Sequence, residues 1–266
     1  MPELPEVETV VRQLRQPCVG QRIADVTLRW PRHIATLSPR QFKSRIRDQK
    51  IQSLHRRGKY LVFSLTNDFL LIHLKMSGDL QVLPKATPRG KHAHTIFHFA
   101  NDQELRFSDT RKFGRVYLVA DPEEVTGPLG PEPLARNFTA GKLFNILTAR
   151  HRPLKPLLLD QTVIAGVGNI YADESLNRAR LHPQKRSDSL TRAEARTLWR
   201  SLRHTLNLAI RHNGSSIDTL YRGGEHQNYF RAYDREGEPC YNCGAPIQRI
   251  VLGGRSTHFC SDCQTL

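Results

Sequence analysis

Tyr60-Leu61-Val62-Phe63-Ser64-Leu65-Thr66-Asn67-Asp68-Phe69-Leu70-Leu71-Ile72-His73-Leu74 is the stretch that decides the fold of the first half of the chain. Two runs rich in aliphatic and aromatic residues flank the polar triplet Thr66-Asn67-Asp68, the pattern of a β-hairpin. Thr95-Ile96-Phe97-His98-Phe99 and Glu104-Leu105-Arg106-Phe107 repeat it around Asn101-Asp102. Short paired strands in number predict a β-sandwich over the first ~120 residues. A helix is expected to pack on it. Pro5, Glu6 and Glu8 suit a helix start, Val7, Val10, Val11 and Leu14 form one apolar stripe, and Pro17 is expected to stop it.

Moving outward, Pro122 to Pro133 holds four prolines and two glycines and reads as a linker and hinge. Beyond it the pattern turns helical. Thr191 and Glu194 form a capping box with Leu190 placed as a staple. Ala195, Leu198, Trp199, Leu202, Leu206, Ala209 and Ile210 make an apolar face, which Asn213-Gly214 ends. A short helix, roughly Pro156 to Gln161, precedes Gly166-Val167-Gly168-Asn169, and a second runs from Ile170 through Leu176. The glycines suit either close approach to a phosphate at a helix start or a tight helix–helix turn. Tyr221 to Gly237 has no clear period and reads as a mobile loop.

The chain closes with Cys240-x2-Cys243, 16 residues, then Cys260-x2-Cys263. That spacing is expected to hold one structural Zn²⁺ through four thiolates. Ile247 to Val251 and Ser256 to Phe259 are the expected hairpin arms, with Gly253-Gly254 as the turn and Arg255 at the tip. A tail this short cannot bury enough surface to fold alone, so the metal must supply folding energy. The fifth cysteine, Cys18, is read as a buried small hydrophobe or an inert thiol.

Across 266 residues, 40 Lys+Arg against 25 Asp+Glu leave a net charge of +15. A charge of this size points to a polyanion, nucleic acid by default. No basic amphipathic helix or long apolar run argues for a membrane, and the acidic start of the chain is unlike a secretory signal. Two cysteine pairs and a lone thiol suit a reducing compartment. The start itself, Met1-Pro2-Glu3, has a second reading. Initiator methionine before a small residue is commonly removed, which would expose Pro2 as a secondary amine titrating near ~8. Such an amine attacks carbonyl-like carbon to form Schiff bases. Alone, Pro2-Glu3 is more simply a helix start.

Taken in order, Pro2-Glu3-Leu4-Pro5-Glu6-Val7-Glu8-Thr9, Arg57-Gly58-Lys59-Tyr60-Leu61, His73-Leu74-Lys75-Met76-Ser77-Gly78, Asp109-Thr110-Arg111-Lys112-Phe113-Gly114, Gly166-Val167-Gly168-Asn169-Ile170-Tyr171-Ala172 and the zinc module resemble the formamidopyrimidine-DNA glycosylases over essentially the full length. The resemblance implies an α+β fold: an N-terminal β-sandwich domain with a flanking N-terminal helix (1–121), a linker (122–134), a helical domain with a helix–two-turns–helix element (135–225) and a zinc finger module (226–266). It implies a cytoplasmic, monomeric enzyme that acts on double-stranded DNA containing oxidised bases, with the duplex in the cleft between domains. Oxidised purines such as 8-oxoguanine and formamidopyrimidines are removed, and the strand is then cut by β,δ-elimination.

The resemblance also implies residue roles. Pro2 is the Schiff-base nucleophile and Glu3 the proton donor for opening the sugar ring. Lys59 and Arg255 act on the sugar and flanking phosphates. Met76, Arg111 and Phe113 fill the void left by a flipped base. His73, His92, Arg150, Lys155 and Asn169 contact the DNA backbone. The segment from Gly214-Ser215-Ser216-Ile217 to Cys240 departs from the family pattern: it is a few residues shorter, and Tyr229-Phe230-Arg231-Ala232-Tyr233 replaces the usual sequence. Two other readings compete. One is an endonuclease VIII-like relative acting on oxidised pyrimidines; the other is a zinc-containing DNA-binding protein without catalysis, which leaves Pro2-Glu3 and Lys59 unexplained.

Overall fold

The computed structural model of the chain describes residues 1–216 and 223–266. Ile217 and Tyr221, at which the shortened segment and the expected loop were marked, lie outside the described residues. The chain forms two compact units, Met1–Pro128 with Ser216–Gly223, and Leu129–Ser215 with Gly224–Leu266.

In the first unit, α1 (Leu4–Cys18) carries Glu3 as N-cap in a capping box with Glu6. Val7, Val10, Val11 and Leu14 are all buried, as the stripe predicts. Pro17 does not stop the helix but lies in its last turn. A proline there forfeits one backbone bond while keeping helical φ, and the Val19 N–H closes the end on Arg15 O at 3.0 Å. Then follow β1 (Ile23–Leu28), α2 (Pro39–Ile46), β2 (Ile51–Arg57), β3 (Tyr60–Leu65), β4 (Phe69–His73), β5 (Gly78–Pro84), β6 (Ala93–Phe99), β7 (Gln103–Asp109), β8 (Arg115–Val119) and the single turn α3 (Glu123–Thr126). They build two four-stranded sheets, ordered β1-β6-β7-β5 and β2-β3-β4-β8, antiparallel throughout. The period-2 alternation sorts the hairpin. Leu61, Phe63, Leu70 and Ile72 join a core shared by both sheets and α1, whereas Val62 and Leu71 face a smaller cluster with Val119. Cys18 is fully buried, and burial pushes its thiol up to about 12, so it behaves as a small hydrophobe.

In the second unit, α4 (Ala140–Thr148), α5 (Leu154–Leu159), α6 (Asn169–Ala179) and α7 (Arg192–Arg211) precede a hairpin of β9 (Ile247–Leu252) and β10 (Arg255–Cys260). The capping box at Thr191 is closed by Thr191 N–H on Glu194 Oε2 at 2.8 Å and Glu194 N–H on Thr191 Oγ1 at 3.2 Å. The predicted face of α7 is buried except for half-buried Trp199, whose Nε1 donates to Phe138 O at 2.8 Å. The bounds of α5 and α6 move, α5 ending at Leu159 and α6 starting at Asn169. α5 starts before Pro156, which its first turn tolerates. α6 runs three residues past Leu176, to a left-handed Arg180 (φ +56°). The hairpin turn falls at Gly253-Gly254 (φ +58° and +74°), as read.

The loop expected from Tyr221 to Gly237 is corrected for residues 223–237. His226–Tyr229 form a 3-10 helix, and His226, Phe230 and Ala232 are buried. Side chains rather than a periodic pattern fix this segment, which is why sequence periodicity missed it. Among the described residues no helix is long and apolar enough to cross a membrane.

Candidate active site and metal centre

Burial of ionisable groups marks the start of the chain. Glu3 and Lys59 are only 3 % and 5 % exposed, whereas such side chains ordinarily stay in water. Glu3 heads α1, and its N–H donates to the Glu6 carboxylate at 2.8 Å. Lys59 sits on the β2–β3 turn after Gly58, whose φ of +55° glycine adopts without the cost a side chain would add. Arg56 ties these elements together: its guanidinium lies 3.3 Å from Glu8 Oε2 on α1 and donates to Gly58 O at 3.0 Å. The helix beginning at Pro2-Glu3 is thereby pinned to the turn that presents Lys59.

His73 stands opposite Tyr60 in the β3–β4 register, its ring edge-on to that tyrosine at 4.7 Å. Burial, then the charges of Lys75 and Lys59, push its imidazole down to about 3. Its Nδ1 accepts the Lys75 N–H at 2.9 Å, which leaves Nε2 as the protonated donor. His73 can therefore offer one neutral N–H, not a positive charge.

Two neighbouring loops carry the expected void-filling side chains. Met76, Arg111 and Phe113 are exposed, with the Arg111 guanidinium 4.9 Å from the Phe113 ring centre. Buried Asp109 holds both loops. It accepts the Ser77 hydroxyl, the Arg111 N–H at 3.2 Å and the Gly114 N–H at 2.7 Å, and His33 Nε2 lies 3.7 Å away. Burial alone would raise this carboxyl, but His33, Ser77 and the two amides together hold it well below the usual carboxylate range. Gly114 is required here, because a Cβ would meet the Phe107 ring at 2.3 Å. His92 is half-buried and lines a cavity of about 390 Å³ with Ser77, Ser108, Asp109 and Thr110, so it shares this side of the sandwich with the loops. Asp109 was quoted in the sequence motif but given no role. Its signal was a carboxylate at a strand end in a strongly basic chain.

In the second unit, the Sγ atoms of Cys240, Cys243, Cys260 and Cys263 all lie within 4.8 Å of one another. The pairs Cys240–Cys263 and Cys243–Cys260 stand 4.0 and 3.5 Å apart. A tetrahedral zinc with ~2.3 Å bonds separates its sulfurs by ~3.8 Å. The four thiolates fit one structural Zn²⁺, and with four protein ligands that metal is closed to chemistry.

Lys155 and Asn169, expected on the DNA backbone, both reach the β10 strand. Lys155 is fully enclosed. Its Nζ meets Asp173 Oδ1 at 2.7 Å, Ser256 O at 2.6 Å and Thr257 Oγ1 at 2.8 Å. Asn169 donates Nδ2 to the same Ser256 O at 3.0 Å. Asp173 accepts the His258 N–H at 2.9 Å. The helical layer thus grips β10 beside exposed Arg255, with Lys155 Nζ turned onto protein groups. Arg150 is half-buried and turned back onto Ile146 O at 2.5 Å. Nor had sequence reasoning singled out Glu174. Its buried carboxylate accepts the N–H groups of Arg231, Ala232 and Tyr233 at 2.9–3.0 Å and fastens the segment before the finger.

The family comparisons agree with this arrangement. Residues 1–116 match the model described as Formamidopyrimidine-DNA glycosylase N-terminal domain, and 129–220 the Formamidopyrimidine-DNA glycosylase H2TH domain. Residues 237–266 match the zinc finger found in FPG and IleRS. The formamidopyrimidine-DNA glycosylase of Herpetosiphon aurantiacus is 43 % identical over 272 residues, 99 % of this chain and 100 % of the relative. That of Lactiplantibacillus plantarum is 42 % identical over 98 % of both. Among solved structures, the Lactococcus lactis Fpg complex with abasic-site-containing DNA superposes with a TM-score of 0.93 at 39 % identity, covering 99 % of this chain and 100 % of that one. The complex of the L. lactis enzyme with an N7-benzyl-Fapy-dG-containing DNA gives the same TM-score and identity over the full length of both. By sequence over its whole length, and by the fold and four-thiolate centre that follow from it, this chain belongs to the formamidopyrimidine-DNA glycosylase family.

Proposed function

We propose that the protein is a base-excision DNA repair enzyme that removes oxidised purines from double-stranded DNA and then cuts the strand. The observation that carries this reading is the burial of Glu3 and Lys59 on two elements that Arg56 ties together at the start of the chain. In this reading the Pro2 amine, freed of Met1, attacks C1′ of the damaged nucleotide. The C1′–base bond breaks and the base leaves with a proton. Glu3 protonates the ring oxygen as the sugar opens, giving an iminium between Pro2 and C1′. That cation acidifies the C2′ proton. Its loss expels the 3′ phosphate, and a second elimination expels the 5′ phosphate.

Lys59 and Arg255 stabilise developing charge on sugar and phosphates; Arg255 stays cationic, so it serves electrostatically. Met76, Arg111 and Phe113 occupy the space of the flipped base, and His92 and the His73 Nε2–H position the backbone. The division of labour is part of the proposal: sandwich 1–121, linker 122–134, helical domain 135–225 and finger 226–266, in a monomer acting in the cytoplasm. The test is incubation with an 8-oxoguanine duplex and sodium borohydride. A covalent protein–DNA band is expected from the wild type and not from Pro2→Gly, which still binds DNA. Equal trapping by Pro2→Gly would assign the nucleophile to another amine. Faster excision from an oxidised-pyrimidine duplex would favour the endonuclease VIII-like reading.

A further inference from the structure

Arg178 is a cation that forms no ion pair among the described residues, with Glu174 as the carboxylate that bears on it. It lies in the last turn of α6, half-buried, on the face that also carries Tyr171 and Glu174. The segment after Gly224 covers that face: the His226 ring lies 5.8 Å from Tyr171, and Glu174 is saturated by the amides of Arg231, Ala232 and Tyr233. Glu174 is the nearby carboxylate and favours the Arg178 charge, but its oxygens are taken up by those amides. Arg178 makes no hydrogen bond or ion pair among the described residues, and its Nε is enclosed without a partner.

Arg231 is held one turn earlier on the same face of α6, its own amide donating to Glu174. It donates NH2 to Asn242 Oδ1 at 2.9 Å, yet its Nε is also enclosed and unpartnered, as is Nε2 of His226. Burial, then Arg231, disfavours the charge on Arg178, and burial, then Arg178 and Arg211, keep His204 below its ordinary value, while His212 Nδ1 and His226 Nδ1 share a hydrogen bond at 3.2 Å. Two like charges with buried, unanswered Nε–H groups raise the energy of the free protein. An oxyanion placed among them would accept those donors and relieve the repulsion.

We propose that Arg178 and Arg231 form an anion site that takes a phosphate group. A phosphate offers oxygens on several sides, so donors on α6 and on the 226–231 segment could each reach one, and guanidinium groups suit it. The site is separate from the start of α6, since Arg178 lies nine residues, ~13 Å, beyond Asn169. Its occupant is either free phosphate or a backbone phosphate of DNA. Only the second source rests on the proposed function.

The test uses the full chain and Arg178→Met, which keeps the apolar stem, with Arg231→Met as second variant. Sodium phosphate at constant ionic strength should raise the wild-type melting temperature saturably, where potassium chloride does not. Both variants should lose that response, and Arg178→Met should melt no lower than wild type in phosphate-free buffer. A duplex titrated against salt separates the sources. A slope of log K on log[salt] shallower by ~0.9 in Arg178→Met assigns the occupant to DNA, and an unchanged slope with a lost phosphate response assigns it to free phosphate. No saturable response in the wild type together with an unchanged slope overturns the site. So does an Arg178→Met variant that melts several degrees lower in phosphate-free buffer, since Arg178 would then be structural. A failed borohydride trap would leave the phosphate response untouched.

Discussion

Lys155→Met is the substitution that best separates an anchor from a phosphate contact. In the structure, Lys155 and Asp173 are 0 % and 1 % exposed and pair at 2.7 Å, and the ammonium also donates to Ser256 O and Thr257 Oγ1. Removing one member of such a pair leaves a buried, uncompensated charge and costs ~3–5 kcal/mol. For a unit of this size each kcal/mol moves the melting temperature about 3 °C, so the second unit should melt about 9–15 °C lower by calorimetry. Lys155→Met with Asp173→Asn should recover most of that loss. The neutral amide oxygen still accepts the His258 N–H, now held at 2.9 Å by Asp173, and no bare charge remains. The slope of log K on log[salt] for duplex binding should not change, because Nζ faces protein. A variant that melts within ~2 °C of wild type and loses ~0.9 from that slope would refute the anchor and make Lys155 a backbone contact.

Asp109→Asn should loosen the loops of Met76 and Arg111, seen as faster hydrogen exchange at the Gly114 and Arg111 amides, with slower lesion excision. The folded Asp109 carboxyl is held below its usual range, so its stabilisation is present above ~pH 4 and lost only as pH falls further; a loss between pH 8 and 5 would count against the assignment. His73 and His226 are held down to about 3 and about 4, so below ~pH 6.5 the unfolded chain binds protons that the folded one does not. Stability should fall with acid by about 1.4 kcal/mol per pH unit for each group, and His73→Gln should flatten that limb for the first unit only. Zinc removal by chelator, or Cys260→Ser, should unfold the finger and weaken DNA binding while the sandwich's melting transition stays in place. Retained binding would leave the finger without a role in it.

The short hairpins, the capping boxes of α1 and α7 and the two Cys-x2-Cys knuckles were legible from residue order, because each depends on neighbours within a turn or two of chain. Pro2-Glu3 and Lys59 were legible as motif residues for the same reason. The fates of Lys155 and Asn169 were not. Both sit in a basic chain that invites phosphate readings, yet their partners on β10 lie roughly ninety to a hundred residues away in sequence. Asp109 became a hub only when β7 folded beside the Ser77 loop, and Glu174 only when the segment after His226 crossed α6. Local propensity is written in the sequence. Which charge is buried, and what neutralises it, depends on distant groups meeting in a medium of low dielectric, and that the tertiary structure alone decides.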